Sequence, residues 1–172
     1  MRLLPPLLVL TFAACSGGTG PGPSDGGSMD HQPTSAELFG KGITAVTLEL
    51  DYQQGAAPYT GTTTLGGDTF DLFKANAAKL FEGQGKTITV PSQLSQMEQL
   101  TDVSGADFTG AQILAIAKAH RGSPSKGATA TFYVVWLAGY LRDENNAVRM
   151  DVLGVSLGDT GVIAMFKPVI DS

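Results

Sequence analysis

The chain has 172 residues, room for one hydrophobic core rather than two. It carries 11 basic and 16 acidic residues, a formal net charge of −5, and no basic stripe, which argues against nucleic-acid binding. Its single cysteine rules out an intramolecular disulfide, and its two histidines leave little imidazole for a catalytic centre.

Met1-Arg2 is followed by an apolar run from Leu3 to Ala14. One positive charge, a short apolar core and small residues before a cut site predict a secretory signal over residues 1–14. The run is too short for a membrane span, which needs about 20 residues. It closes Phe12-Ala13-Ala14-Cys15-Ser16, which resembles the lipobox of bacterial lipoproteins. Phe12 departs from the usual Leu, Val or Ile, and Pro5-Pro6 is unusual in the core. The resemblance implies a diacylglyceryl group on the Cys15 thiol and Cys15 as the mature N-terminus. The alternative is plain secretion with an incidental cysteine. Two or three acyl chains give stable anchoring where one is marginal. Ser16, rather than Asp, after the cysteine resembles the pattern of lipoproteins sent to the outer membrane of a Gram-negative envelope. Cleavage would leave 10 basic against 16 acidic residues, a net charge near −6. Taken over the whole chain, anionic lipid then adds nothing, and the acyl chains must do the anchoring.

From Ser16 to Ser35, 13 of 20 residues are Gly, Ser or Pro, so residues 15–35 read as the lipidated cysteine and a flexible tether. Asp30 and His31 fall within it, where no geometry for a metal can be held. The folded domain is expected over residues 36–172. Val46, Leu48, Leu50 and Tyr52 alternate on one face of a strand at 43–52. Residues 53–67 form a Gly/Thr-rich connection. Asp68 offers an N-cap and Asp71 a first-turn acid for a helix whose apolar face is Phe70, Phe73, Ala77, Leu80 and Phe81, with Gly83 ending it. Thr87–Val90 is a short strand, and Leu94, Met97 and Leu100 suggest a helical turn or two. Thr109 and Gln112 make a capping-box pattern ahead of Ile113, Ile116, Ala117 and His120, and Gly122 and Pro124 close that helix. Residues 128–141 are apolar on both parities, as in a central strand covered on both faces. Arg142–Asn146 is a polar turn. Val152–Leu157 and Val162–Phe166 form a hairpin around Gly158-Asp159-Thr160-Gly161. The order predicts an α/β (α+β) fold: a single mixed, mostly parallel sheet, two main helices and a C-terminal antiparallel hairpin.

Few residues carry a chemical signal. His120, beside Lys118 and Arg121, suits a helix C-terminus, where it can bond free carbonyls. Gly154-Val155-Ser156-Leu157-Gly158 has the letters of a hydrolase nucleophile elbow, but that serine needs a strand-to-helix turn and a downstream histidine, and a strand follows here. Gly66-Gly67 lacks the spacing and lysine of a phosphate loop. Asp143-Glu144-Asn145-Asn146 reads as a solvated turn without the spacing or terminal glutamate of a calcium loop.

Residues 128–141, the run Val152-Leu153-Gly154-Val155-Ser156-Leu157-Gly158, then Val162–Phe166, and upstream Ile113–Arg121, resemble the N-terminal (upper) half of metzincin-like zinc metalloproteases, lipoprotein members included. The likeness spans about residues 43–170 and rests on strands and glycines, not on a catalytic signature. It implies an antiparallel edge strand that binds an extended peptide as a further strand, matched here by Leu153, Gly154, Val155, Ser156, Leu157 and Gly158. The family's HExxHxxGxxH helix would begin where the sequence ends at Ser172. No zinc ligand, catalytic residue or cofactor is therefore expected in this chain, with zinc only if such a downstream half exists. A half-domain would expose apolar surface that its missing half covers. The reading is an envelope lipoprotein without peptidase activity of its own. The alternative is a scaffold lipoprotein holding a partner at the hairpin edge or the 53–67 loop.

Overall fold

The computed structural model describes residues 32–62 and 67–172. Cys15 and its signal, His31 and most of the tether lie outside them, as do residues 63–66 of the 53–67 loop.

Helix α1 (Ser35–Phe39) leads into strand β1 (Ala45–Gln53). Helix α2 (Thr69–Leu80) crosses to β2 (Thr87–Thr89), and β3 (Glu98–Leu100) follows a short 3-10 turn at Leu94–Gln96. Then come β4 (Asp107–Phe108), α3 (Gly110–His120) and the long β5 (Thr129–Leu137). The chain closes with β6 (Tyr140–Arg142), β7 (Val148–Arg149), β8 (Gly154–Ser156), β9 (Val162–Phe166) and the single turn α4 (Lys167–Ile170).

The main sheet runs β2-β1-β5-β9-β8, with β3 also beside the second half of β1. Every pairing is parallel except β8 with β9. The expected mixed, mostly parallel sheet, with two principal helices and a closing hairpin, is therefore present.

β5 lies between β1 and β9, which is why both of its parities are apolar. Tyr133, Val135 and Leu137 enter one core with Ile113 and Ala117 of α3, Val162, Ala164 and Phe166. Val134 and Trp136 enter the other with Leu50, Phe70 and Met97, and Phe73 meets Trp136 edge-on at 5.9 Å. Both caps form as the sequence predicts. The Asp68 carboxylate accepts the Phe70 amide at 2.9 Å, and Thr109 and Gln112 close a capping box.

Two expectations need correction. Leu80 is not on the buried face of α2. It is 58% exposed, while Phe81, the C-cap, turns inward. The run 128–141 is two strands, because the chain breaks at Ala138-Gly139. A Cβ on Gly139 would lie 2.5 Å from the Ala106 carbonyl, so only glycine lets the two segments pass. The side chain of Gln53 bridges this break, its Oε1 accepting the Ala138 amide at 2.8 Å. Beyond the break, β6 pairs with β4 and β7 in a small second sheet, and the 142–146 turn is its hairpin. Residues just before 36 also pack on the domain. Gln32 is only 9% exposed, its Nε2 donates to the Thr131 carbonyl at 3.0 Å, and α1 begins at Ser35.

Candidate functional site

β8 is the last strand of the main sheet, and its pairing fixes what it presents. Leu157 N–H donates to Val162 O at 3.0 Å and Phe166 N–H to Leu153 O at 2.9 Å. In an antiparallel pair alternate residues bond the partner, so the amides and carbonyls of Gly154 and Ser156 face away from β9. No strand covers that side among the described residues. Gly154 is required for close packing here: a Cβ would lie 2.8 Å from Met165 Sδ and 2.9 Å from Ala164 O.

The alternate residues Val155 and Leu157 turn toward the α3 core, partly buried. Beside them opens a groove of about 750 Å³, walled by Thr109, Gly110 and Ala111 at the start of α3 and by the turn Leu141–Asn146. Gly110 stands against the edge, where a Cβ would lie in ordinary contact with Leu157 at 3.5 Å. The groove's outer wall is stiffened by charge. Arg142 holds Asp107 through two bonds, 2.9 Å and 2.7 Å, and donates to Asn146 O at 2.7 Å. The Arg142 guanidinium keeps the Asp107 carboxyl below its usual value.

Within that turn the Asp143 carboxylate serves the backbone. Asp143 Oδ1 accepts the amides of Asn145 and Ala147 at 2.9 and 3.0 Å, and Asn146 adopts φ 63°. Among the described residues no group of three or more His, Cys, Asp or Glu side chains could hold a metal ion. No described helix is long and apolar enough to cross a membrane.

Ser156 sits on the strand itself, as its sequence context suggested, and His120 does not approach it. His120 places Nδ1 3.6 Å from Glu98 and Nε2 3.2 Å from Asp102, beside β3, which lies across β1, β5 and β9 from β8. The role expected for His120, on free carbonyls at its helix end, is replaced by two carboxylates. Arg121 donates to two carbonyls outside the helix, those of Thr131 at 2.7 Å and Thr160 at 3.3 Å.

The periodicity of β1 concealed a second polar group. Its outward parity, Glu49, Asp51 and Gln53, faces the α3 side of the sheet rather than water. Asp51 is 4% exposed, and one of its oxygens accepts the Glu98 amide at 2.9 Å. Burial pushes its carboxyl above the ordinary value, only partly offset by the Glu98 amide and the Tyr133 hydroxyl. Tyr133 is fully buried, and burial, reinforced by the Asp51 charge, drives its hydroxyl far above the usual tyrosine value. Glu49 caps the chain after α3, accepting the Gly122 and Ser123 amides at 2.6 and 2.9 Å. These groups stitch β1, β3 and α3 together and do not open onto the groove at β8. The signal available in the sequence was a strand whose polar parity ended in Asp51 and Gln53 directly before a parallel crossover.

Set against family models, curated proteins and solved structures, the chain matches none.

Proposed function

We propose that the protein is an envelope lipoprotein, anchored through an acylated Cys15, whose folded domain holds an extended peptide along β8. The supporting observation is the free antiparallel edge at Gly154 and Ser156 beside a groove floored by Val155 and Leu157. An added strand would bond the outward-facing groups of those two residues, and its alternate side chains would fall into the groove. The antiparallel polarity and position of β8 also accord with the metzincin-like resemblance, in which such an edge lines the substrate cleft.

In this reading the chain holds peptide and does not cut it. Asp143 and Glu144 line the groove, and no group of three or more His, Cys, Asp or Glu side chains among the described residues could hold a metal ion. Zinc analysis of the purified full chain should find no stoichiometric metal, and one tightly held zinc per chain would overturn this part. Peptide holding is tested by amide exchange. A peptide selected from a random linear library should slow exchange at Gly154 and Ser156. Protection confined to other elements would contradict the assignment.

A further inference from the structure

The parallel strands give the domain two distinct ends. The N-terminal ends of β1, β2 and β5, the C-terminal end of α2, and α1 all lie at one of them. There Phe39 of α1 stacks on Phe81 at a centroid distance of 5.4 Å. Phe39 is 52% exposed and Leu80, next to Phe81, more so. Two large apolar side chains thus stand out on one corner, where patterning would have put Leu80 inside. Lysines flank them. Lys41 and Lys79 are exposed and lie beside Phe39 and Leu80 in sequence, Lys86 is half-buried with its Nζ donating to the Gly40 carbonyl at 2.8 Å and to the Ile43 carbonyl, and Lys126 shares a hollow of about 350 Å³ with Pro33, Glu37 and Ile43. The acids at this corner are Glu37 and Glu82, so the local balance is positive on a chain of net charge −5. Apolar groups flanked by the exposed Lys41 and Lys79 suit the headgroup boundary of a bilayer, where the rings and aliphatic chains enter and those two ammonium groups stay wet.

The position of the N-terminal segment points to the same end. Gln32 is pinned there, against Gly161 and the Thr131 carbonyl. Cys15 lies 17 residues before it, a reach of at most about 60 Å when fully extended. The segment thus leaves the domain at the same end of the sheet as the Phe39 corner, and beside the β8–β9 hairpin that Gly161 closes.

We infer that the Phe39–Leu80 corner rests on the bilayer surface and orients the tethered domain. This rests on the reading of Cys15 as acylated, and the test separates the two. The full acylated chain carrying Leu80→Cys, or Ser156→Cys, is labelled with an environment-sensitive fluorophore, acylation having consumed Cys15. Each is reconstituted into vesicles of phosphatidylethanolamine and phosphatidylglycerol with nitroxide-bearing lipids. The probe at 80 should shift to the blue and lose emission to the nitroxides, and the probe at 156 should do neither. Adding Phe39→Ser, or Lys41→Glu with Lys79→Glu, should restore the lost emission at 80. A chain that floats with the vesicles while both probes remain unquenched keeps its anchor and refutes the corner. A chain that does not float at all refutes the anchor, and the orientation with it. Blue shift at 80 without nitroxide quenching would mean that protein, not lipid, covers the corner, and would also refute the inference.

Discussion

Asp51 of β1 and Tyr133 of β5 lie close together beneath α3, yet Asp51 Oδ2 and Tyr133 Oη each lack a hydrogen bond of good geometry. The β1–β5 register makes them diagonal neighbours on one face, Tyr133 standing opposite Glu49 and Asp51 opposite Val135. The pair is therefore an unfinished one. The carboxylate is buried with a single firm donor, the Glu98 amide.

That arrangement carries a pH signature. The folded pKa of Asp51 lies above its ordinary 3.8, so the folded state binds its proton more tightly than the unfolded chain does. Its contribution to stability is greatest at acid pH and declines as pH rises from 3.8 through the folded value. Asp51→Asn keeps the acceptor for Glu98 and removes the charge. It should raise stability at neutral pH by about 1 kcal/mol, the scale of relieving an incompletely paired buried group, and flatten that part of the profile. Denaturant melts of both proteins across pH check this. A destabilised Asn variant at neutral pH would show that the carboxylate is needed as a charge.

Gly139 should resist even a methyl group. The Ala106 carbonyl stands 2.5 Å from where a Cβ would be, and Phe108 stands 3.0 Å away. Backbone cannot give way as a side chain can, so Gly139→Ala is expected to cost about 2–3 kcal/mol, in the range of overpacked cores. An unchanged melting midpoint would mean that β4 and β6 do not pass so closely.

Gln32 and Gly161 should prove coupled. Gly161 has φ 69°, and an added Cβ would fall 2.4 Å from the Gln32 amide carbon. Gly161→Ala therefore costs both backbone strain and the displacement of Gln32. In a Gln32→Ala background only the strain of about 1 kcal/mol remains. A double-mutant cycle measured by urea unfolding should give a coupling of the sign that makes the second substitution milder. Strict additivity would mean that residue 32 is not seated on the domain.

What could be read from the sequence followed the strength of its periodic signals. β5, β1, the capping box at Thr109 and the closing hairpin are long or carry specific side-chain chemistry, and they stand where they were expected. β3, β4 and β7 are two or three residues long, too short to show a period, and exist because neighbouring strands accept them. Leu80 matched the helical spacing but sits at the end of α2, where the C-cap Phe81 is buried in its place. The break at Gly139 depends on a contact with Ala106, 33 residues earlier, which no local pattern contains. The edge at β8 was legible as strand and hairpin. The groove beside it was not, because it is built by α3 and the 141–146 turn together.

Ser156→Pro tests β8 as a peptide-holding edge directly. The Ser156 amide faces away from β9, so proline there removes an outward donor and crowds the edge while sparing the hairpin's own bonds. The measurement is the affinity of library-selected linear peptides for the full chain and for Ser156→Pro, with melting followed in parallel. The prediction is a loss of about tenfold or more, since a missing strand bond and a blocked edge together exceed about 1.4 kcal/mol, at an unchanged melting temperature. Equal affinity in the two proteins, with the fold intact, would contradict it.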